Sequence, residues 1–393
     1  SKAGTKSRQG LRSEESMTLR VVKVGTSLLR QRQAATTANA IARLSCDLAE
    51  SMARGDRVVL VSSGAVGLGC QRLGMAQRPL SLPGLQAAAS VGQGYLMSLY
   101  EKEFSRHSIA VAQVLLTRSD LADRVSYHNA SATLNQLLEW GVLPVVNGND
   151  TVSSDELKFG DNDTLSALVA AAVKADELIL LTDVDSLYSA DPRSDINATP
   201  IKDVHGHEEI GDLEEGAGGG GRWGTGGMAT KLSAARIATH SGIKVHLGDG
   251  RTSEALQDIL RGGRGGTVFH PHPQPLGDRK SWLAHALQPS GTLRIDRGAS
   301  RALTTKGASL LLVGITDVDG QFETNQAVLL VDEHGEEVAR GLSTMSSEKL
   351  SDLLSLQSTE QTCTGGSPVV VHRDAMVLTM TTTRQQEFDH MGD

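Results

Sequence analysis

Cysteine is scarce in this chain of 393 residues, with three in all: Cys46, Cys70 and Cys363. They lie far apart and are odd in number, so they support neither a disulfide framework nor a metal site built from paired cysteines. Such sparing use of cysteine is typical of a reducing compartment. We therefore expect a cytoplasmic protein.

Long apolar runs and an excess of positive charge are also missing. No stretch reaches the roughly 18 uninterrupted apolar residues of a membrane span, so we expect no membrane partner. Lys and Arg total 38 against 46 for Asp and Glu, a formal net charge of −8. That balance argues against a surface built to neutralise nucleic-acid phosphates. The 39% hydrophobic and 21% charged content is typical of a globular protein.

The chain is long enough for two or three domains. Residues 1–16 are charged and lack an apolar core, so they fail as a secretory signal and are predicted to be a disordered leader. The segment HPHPQP, at 270–275, is the best domain boundary because prolines interrupt any periodic pattern there. The predicted division is a leader at 1–16, a first domain at 17–268, a linker at 269–288, a second domain at 289–380 and a tail at 381–393.

In the first domain, short apolar runs rich in β-branched residues alternate with helical patterns. The runs are LRVVKVG, RVVLVSSG, AVAQVLLT, VLPVVNGND and ELILLTDVD. This rhythm predicts a mostly parallel sheet with helices on both faces. Ligands of such sheets gather at the carboxyl ends of the strands, where polar residues follow each run.

The second domain has a different character. From Gly291 onward, short strand-like segments are separated by turn residues. The pattern predicts a small β-barrel or sandwich of about a hundred residues.

A glycine-rich turn, SSGAVGLG at 62–69, lies between a strand and a helix. Backbone N–H groups at such a helix start favour a phosphate, although the glycines could equally serve only a tight turn. The spacing matches neither the GxGxxG dinucleotide fingerprint nor the GxxxxGK[ST] P-loop. Any nucleotide would therefore be bound by neither common motif.

Two lysines have settings that suit a phosphoryl group. Lys23 lies between Val22 and Val24, in a run too apolar for a surface strand, so its charge requires a partner. Lys231 follows GTGGMAT in the first turn of a predicted helix whose start is rich in glycine. The two could bracket a phosphoryl group during its transfer.

Carboxylates and amides are expected at the same edge. The segment GDNDT, at 160–164, offers Asp161, Asn162 and Asp163 at a helix start, where simple N-capping is the alternative interpretation. Further polar residues close the neighbouring strands: Asn147, Asn149, Asp150, Thr182, Asp183 and Asp185. Lysines and carboxylates converging on one edge favour phosphoryl transfer, with Mg²⁺ bridging the phosphates.

Taken in order, these motifs resemble the amino-acid kinase family, and within it the enzymes that phosphorylate the γ-carboxylate of L-glutamate in the first step of proline biosynthesis. The resemblance extends from Leu19 to about Phe269 and continues past the linker as a PUA domain. Its motifs are VVKVGTSLL, VLVSSGAVGLG, LLTRSD, PVVNGNDTVSSDELKFGDNDTLSALVA, LLLTDVDSLYSADPR and GTGGMATKLSAA. It implies an α/β fold, with an open, mostly parallel sheet sandwiched by helices, plus a small C-terminal β-barrel.

The resemblance also implies ligands and partners. It implies ATP and Mg²⁺ as cofactors, L-glutamate as the acceptor, and feedback inhibition by proline. A homo-oligomer, dimer or tetramer, is implied as well, together with a glutamyl-phosphate reductase that takes the product.

Site residues follow from the same resemblance. It implies catalytic roles for Lys23, Lys231 and Asp163, with Asp163 holding the two lysines rather than acting as a base. The implied glutamate-binding residues are Ser63, Asp150, Asn162 and Asp161. The implied ATP-binding residues are Lys23, Gly25, Thr26, Ser27, Gly64, Thr182, Asp183, Gly224, Thr225, Gly226, Gly227, Met228, Ala229, Thr230 and Lys231.

Two alternative functions remain open. The first is another kinase of this fold, acting on aspartate, acetylglutamate or uridylate. The second is an RNA-binding protein with a vestigial kinase domain, which predicts a basic stripe after Gly291. Acidic and basic residues are interspersed there, so RNA is not an expected partner.

Histidine pairs occur at His205 and His207 and at His270 and His272. Neither pair has a second pair of ligands at zinc spacing, so they are interpreted as solvated histidines. We expect no protein-bound metal site.

Overall fold

The computed structural model describes most of the chain, namely residues 17–29, 34–122, 124–152, 162–190, 195–205, 209–210, 213, 227–273, 289–324, 326–357 and 367–378. The predicted leader, the tail and most of the linker lie outside these ranges. Within them, no helix combines the length and apolar character needed to cross a membrane.

An eight-stranded sheet forms the centre of the first domain, in the order β3-β4-β2-β1-β5-β9-β10-β8. Strands β1 to β5 and β9 run parallel, and β10 is antiparallel to β9. The strands are β1 (Leu19–Val24), β2 (Arg57–Ser62), β3 (Val111–Leu116), β4 (Leu143–Gly148), β5 (Glu177–Thr182), β8 (Asp203–Val204), β9 (Lys244–Asp249) and β10 (Gly266–Phe269). A separate two-stranded ribbon pairs β6 (Leu187–Tyr188) with β7 (Pro200–Ile201).

Both faces of this sheet are buried. Val21 belongs to one hydrophobic cluster and its neighbours Val22 and Val24 to another. Since successive strand residues point to opposite faces, the two clusters are the two layers between sheet and helices. This explains why the strand runs are continuously apolar rather than alternating.

Helices α2, α4 and α9 supply residues to the cluster of Val22, and helices α6, α7 and α8 to the cluster of Val21. The helices of this domain are α1 (Thr26–Leu29), α2 (Ala34–Ala53), α3 (Ala65–Arg72), α4 (Leu82–Ser105), α5 (Arg118–Ala122), α6 (Arg124–Glu139), α7 (Asn162–Val173), α8 (Gly227–His240) and α9 (Ser253–Leu260). The predicted alternation of strand and helix is thus confirmed.

The second domain is a six-stranded sheet in the order β12-β16-β15-β14-β11-β13. Its outer strands, β12 and β13, are joined by a single 3₁₀ turn at Leu312–Gly314, so the sheet must curl until its two edges approach. Its elements are β11 (Gly291–Ile295), α10 (Arg297–Lys306), β12 (Leu310–Leu311), β13 (Ile315–Gly320), β14 (Ala327–Val331), β15 (Glu337–Ser343), α11 (Ser347–Gln357) and β16 (Val369–Leu378). The predicted fold class, α/β with a small β-barrel, is confirmed.

Strand register places the candidate site. Val24 pairs with Ser62 on one side and with Leu181 on the other, and Thr182 pairs with Asp249. The residues that follow these strands therefore share one edge of the sheet, which we call the carboxyl edge. The opposite edge, where the parallel strands begin, we call the amino edge.

Candidate active site

A buried carboxylate joins the two predicted lysines at the carboxyl edge. Asp163, 2% exposed in the first turn of α7, contacts the Lys23 ammonium through Oδ1. Its other oxygen, Oδ2, lies 3.2 Å from Lys231 Nζ. One carboxylate thus fixes the positions of two ammonium groups that come from the first strand and from a helix about 200 residues later. The predicted convergence of these three residues is observed.

Two further contacts hold this ion triad in place. Thr230 Oγ1 donates to Asp163 Oδ2 over 2.8 Å, and Lys231 Nζ donates to the Gly227 carbonyl over 3.1 Å. Both come from the first turn of α8. Because Lys23 is only 5% exposed, little water can compete for its charge.

Asp163 is ionised at neutral pH. Burial alone would raise its pKa, but the charges of Lys23 and Lys231 outweigh that effect and lower the pKa of Asp163 to about 2. A carboxylate of that pKa neither donates nor accepts a proton near pH 7. The arrangement therefore fits a group that positions the lysines and does not fit a general base.

Asn162 is the hub of a second network, one residue from Asp163. Its Nδ2 donates to the Ser62 carbonyl over 2.6 Å, to Asn147 Oδ1 over 2.7 Å and to Ser63 Oγ over 3.1 Å. A carbonyl oxygen can only accept, so the contact with Ser62 fixes which side of the Asn162 amide faces the sheet. The amide nitrogen, and not Oδ1, therefore faces the ends of β2 and β4.

The amide network continues through helix α4 to strand β3, which carries Gln113. Asn147 Nδ2 donates to Gln93 Oε1 over 2.7 Å, and Gln93 Nε2 donates to Gln113 Oε1 over 3.2 Å. Asn147 lies on β4 and Gln93 on α4. The sequence pattern placed Asn147 at a strand end but gave no signal for Gln93, because a glutamine inside a long helix belongs to no motif.

The glycine-rich turn follows β2, as predicted. Gly64 is the N-cap of α3 and has φ of 99°, a left-handed conformation that favours glycine. Behind the turn, the Tyr100 hydroxyl lies 2.8 Å from Ser62 Oγ, and burial raises the pKa of Tyr100. The turn therefore rests on an uncharged, fully buried contact that the sequence did not reveal.

The other predicted residues that the structure describes lie along the carboxyl edge. Thr26 and Ser27 begin α1, next to Gly25, where an added Cβ would lie 3.5 Å from Lys23 Nζ. Thr182 ends β5, and its hydroxyl donates to Asp183 over 3.3 Å. The remaining described residues of the prediction are Asp150, two residues beyond β4, and Met228 and Ala229 in the first turn of α8.

Asp161, Gly224, Thr225 and Gly226 lie outside the described residues. Their predicted roles remain predictions.

Comparison with known proteins assigns the class. The amino acid kinase family matches residues 18–249, and the PUA domain matches residues 291–360. The chain belongs to the amino acid kinase family.

Curated relatives narrow that assignment to the glutamate 5-kinase branch. Glutamate 5-kinase of Synechococcus sp. (strain CC9902) is 63% identical over 362 residues, which cover 92% of this chain and 99% of the relative. Glutamate 5-kinase of Prochlorococcus marinus (strain MIT 9313) is 61% identical with the same coverage. The resemblance inferred from the motifs is confirmed.

Among solved structures, carbamate kinase from Giardia lamblia bound to AMP-PNP is 16% identical, with a TM-score of 0.48. The matched region covers 65% of this chain and 99% of the carbamate kinase chain.

Proposed function

We propose that this protein transfers the γ-phosphoryl group of ATP to the γ-carboxylate of L-glutamate, giving γ-glutamyl phosphate and ADP. The observation that carries the proposal is the ion triad of Lys23, Asp163 and Lys231 at the carboxyl edge. The identity of the curated relatives supports glutamate as the acceptor.

The transfer needs no general base. An oxygen of the glutamate side chain, ionised at neutral pH because its pKa is about 4.3, attacks the γ-phosphorus. The bond from that phosphorus to the β,γ-bridging oxygen breaks, and its electron pair leaves with ADP. Phosphoryl transfer between two anions therefore depends on positioning and on neutralising charge.

Lys23 and Lys231 supply that neutralisation. Two ammonium groups share one described carboxylate, so the triad carries a net charge of about +1 and attracts anions. Asp163 keeps the lysines in position before the substrates arrive, which removes a cost of reorganisation from the reaction. Mg²⁺ reaches the site bound to the ATP phosphates, as part of the substrate.

Glutamate binds beside the amide network. Asn162, held by its contacts with Ser62, Ser63 and Asn147, contacts the glutamate. Ser63, Asp150 and Asp161 complete this subsite. ATP is held by the backbone around Gly64, by Gly25, Thr26 and Ser27, by Thr182 and Asp183, and by residues 224–231.

Further parts of the proposal rest on the motif resemblance. They are inhibition by proline, assembly as a dimer or tetramer, a cytoplasmic location and delivery of the product to a glutamyl-phosphate reductase. The domain limits of 17–268 and 289–380 belong to it as well.

The test is an acceptor assay with the full chain. Protein, ATP and Mg²⁺ are incubated with L-glutamate and hydroxylamine, and ADP and γ-glutamyl hydroxamate are measured. Aspartate, N-acetylglutamate and uridylate are parallel acceptors. We expect ADP and hydroxamate with glutamate.

Turnover with another acceptor alone would overturn the assignment of glutamate and leave a kinase. No turnover with any acceptor would favour the alternative of an RNA-binding protein with a vestigial kinase domain.

A further inference from the structure

Two histidines and an aspartate meet at the amino edge, far from the ion triad. Asp203 begins the short strand β8, and His205 follows two positions later, so both side chains lie on the same face of the chain. His270 comes directly after β10, the neighbouring strand, and its backbone N–H donates to the Val204 carbonyl. Strand pairing therefore brings together residues that are more than 60 positions apart.

The polar atoms of these side chains are close to one another. His270 Nε2 lies 2.9 Å from Asp203 Oδ1, and the rings of His205 and His270 stack with centroids 4.2 Å apart and planes inclined by 5°. One donor atom from each residue falls within 4.8 Å of the others. Asp203 Oδ2 accepts from Arg264 Nη1 over 2.6 Å, which orients the carboxylate from its outer side.

We infer that Asp203, His205 and His270 bind a divalent transition-metal ion of the zinc class. Two imidazoles and one carboxylate, with a water in the fourth position, are a donor set that Zn²⁺ accepts in tetrahedral geometry. At metal–ligand distances of about 2.0 to 2.2 Å, tetrahedral ligand atoms lie about 3.4 Å apart. Asp203 Oδ1 and His270 Nε2 are already 2.9 Å apart. Two parallel stacked rings cannot both point a nitrogen at one ion, so metal binding requires the exposed His205 ring to rotate out of its stack with His270.

Two features of the surroundings favour metal binding over a simple hydrogen-bonded cluster. His205 is exposed and His270 is about one-third exposed, which leaves an open side for the ion and a water ligand. The contact from Arg264 to the outer carboxylate oxygen is the kind of support that metal-ligating carboxylates receive in other proteins.

Sequence spacing groups His205 with His207 and His270 with His272, and both pairs were interpreted as solvated histidines. The structure instead stacks His205 on His270 and His240 on His272. Within the described ranges, the second stack has no carboxylate placed to complete a three-ligand group. It therefore provides an internal control.

The inferred ion has a structural role. Strand β8 has only two residues and pairs with β10 through two positions, so it is weakly held by backbone hydrogen bonds. A metal bound to both strands would fix the outer strand of the sheet. It lies at the opposite edge from the phosphoryl-transfer site and is distinct from the Mg²⁺ of ATP.

The test is a zinc titration of the full chain, freed of metal by chelation and kept reduced, and followed by calorimetry. The variants are His205→Gln and His270→Gln, because glutamine is a poor zinc ligand and, at position 270, keeps a hydrogen-bond donor for Asp203. The matched control is His272→Gln, in the stack without the carboxylate. Co²⁺ provides a second readout, since four-coordinate Co²⁺ with nitrogen ligands absorbs strongly in the visible range.

We expect one zinc equivalent to bind the wild-type chain. In each of the two ligand variants, the Kd for zinc should rise by about 10- to 100-fold. The control should bind like the wild type, and the visible cobalt band should be lost in the ligand variants alone. Absence of zinc binding to the wild type would overturn the inference. So would equal affinity in all four proteins, because the ion would then bind elsewhere.

Discussion

A carboxylate with basic partners and little exposure to solvent occurs at both edges of the eight-stranded sheet. At the carboxyl edge, Asp163 holds Lys23 and Lys231. At the amino edge, Glu177 accepts from Arg20 over 2.9 Å and from Lys244 over 3.3 Å. The amino-edge residues form one row, because Glu177 pairs with Arg20 on β1 and with Lys244 on β9.

The two clusters differ in charge balance. Arg20 also contacts Asp56, so this cluster, as far as the structure describes it, joins two carboxylates to two cations, Arg20 and Lys244. Among the described residues, the ion triad has one carboxylate for two ammonium groups. A balanced cluster satisfies itself and holds strands together, whereas a surplus of buried positive charge favours binding an anion. Charge balance, rather than burial, separates the structural cluster from the proposed catalytic one.

The largest expected effect is on stability, from Arg20→Met at the amino edge. Arg20 is 6% exposed, and its loss leaves Asp56 and Glu177 without their shared partner. Removing one member of such a buried pair costs about 3 to 5 kcal/mol of unfolding free energy. Denaturant unfolding measures this loss, and kcat per folded molecule should stay close to wild type.

Lys23→Met is the matched change at the other edge. It leaves Asp163 with Lys231 and should cost less stability while abolishing most turnover. If Arg20→Met lost turnover and kept its stability, the division between a structural and a catalytic edge would be contradicted.

The next effect is on turnover, from Lys231→Ala. This variant removes one of the two ammonium groups proposed to stabilise the transferring phosphoryl group, while Asp163 keeps Lys23. We expect kcat to fall by about 10²- to 10³-fold, with a melting temperature near that of the wild type. Steady-state kinetics with saturating ATP and glutamate provide the measurement.

Lys244→Ala is the control for this change. Lys244 is also a lysine paired with a largely buried carboxylate of the same sheet, but its side chain is 43% exposed and Glu177 keeps Arg20. Its kcat should be unchanged. Equal losses in the two variants would show that turnover depends on general electrostatics and not on the triad.

The dependence of stability on acidic pH should reveal the contribution of Glu177, the carboxylate at the amino edge. Burial alone would raise the pKa of Glu177, but its contacts with His246 and Arg20 lower it from 4.5 to about 2. A folded-state pKa below the unfolded one stabilises the protein above about pH 4.5, and this contribution is lost as the pH falls towards 2.

Glu177→Gln removes that contribution. As the pH falls from 4.5 to 2, the unfolding free energy of this variant should decrease less steeply than that of the wild type. The difference between the two slopes should correspond to at most one proton taken up on unfolding. Denaturant unfolding at several pH values measures the slopes. Identical slopes would mean that Glu177 is not held ionised by its neighbours.

These comparisons also show which features the sequence could predict. The strand runs, the glycine-rich turn and the convergence of lysines and carboxylates on one edge follow from local patterns and from the rule that parallel strands end at one edge. The pairing of Asp163 with Lys23 and Lys231 was implied only by the family resemblance. The roles of individual site residues could be predicted only because the motifs also resemble those of a known family.

Other features depend on tertiary contacts that leave no local signal. Gln93 reaches Asn147 from a neighbouring helix, and His205 meets His270 through strand pairing. In each case the residue type is unremarkable at its position, and only the packing of distant segments brings the side chains together. A single sequence contains no period or spacing that encodes such contacts.

The smallest expected effect concerns the amide network, which has no counterpart in the charged row of the amino edge. Gln93→Leu keeps the size of the side chain but removes the acceptor for Asn147 Nδ2, while Asn162 keeps its contacts with Ser62 and Ser63. Losing one such hydrogen bond costs about 1 kcal/mol, which corresponds to an increase of about five-fold in the KM for glutamate. The change should leave kcat and the KM for ATP near wild type, because the ion triad is untouched.

Gln113→Leu, which alters only the exposed hydrogen bond between Gln93 and Gln113, should leave all three constants unchanged. If Gln93→Leu lowered kcat and left the glutamate KM alone, the network would support the phosphoryl-transfer lysines rather than the acceptor, and the proposed role of Asn162 would be wrong.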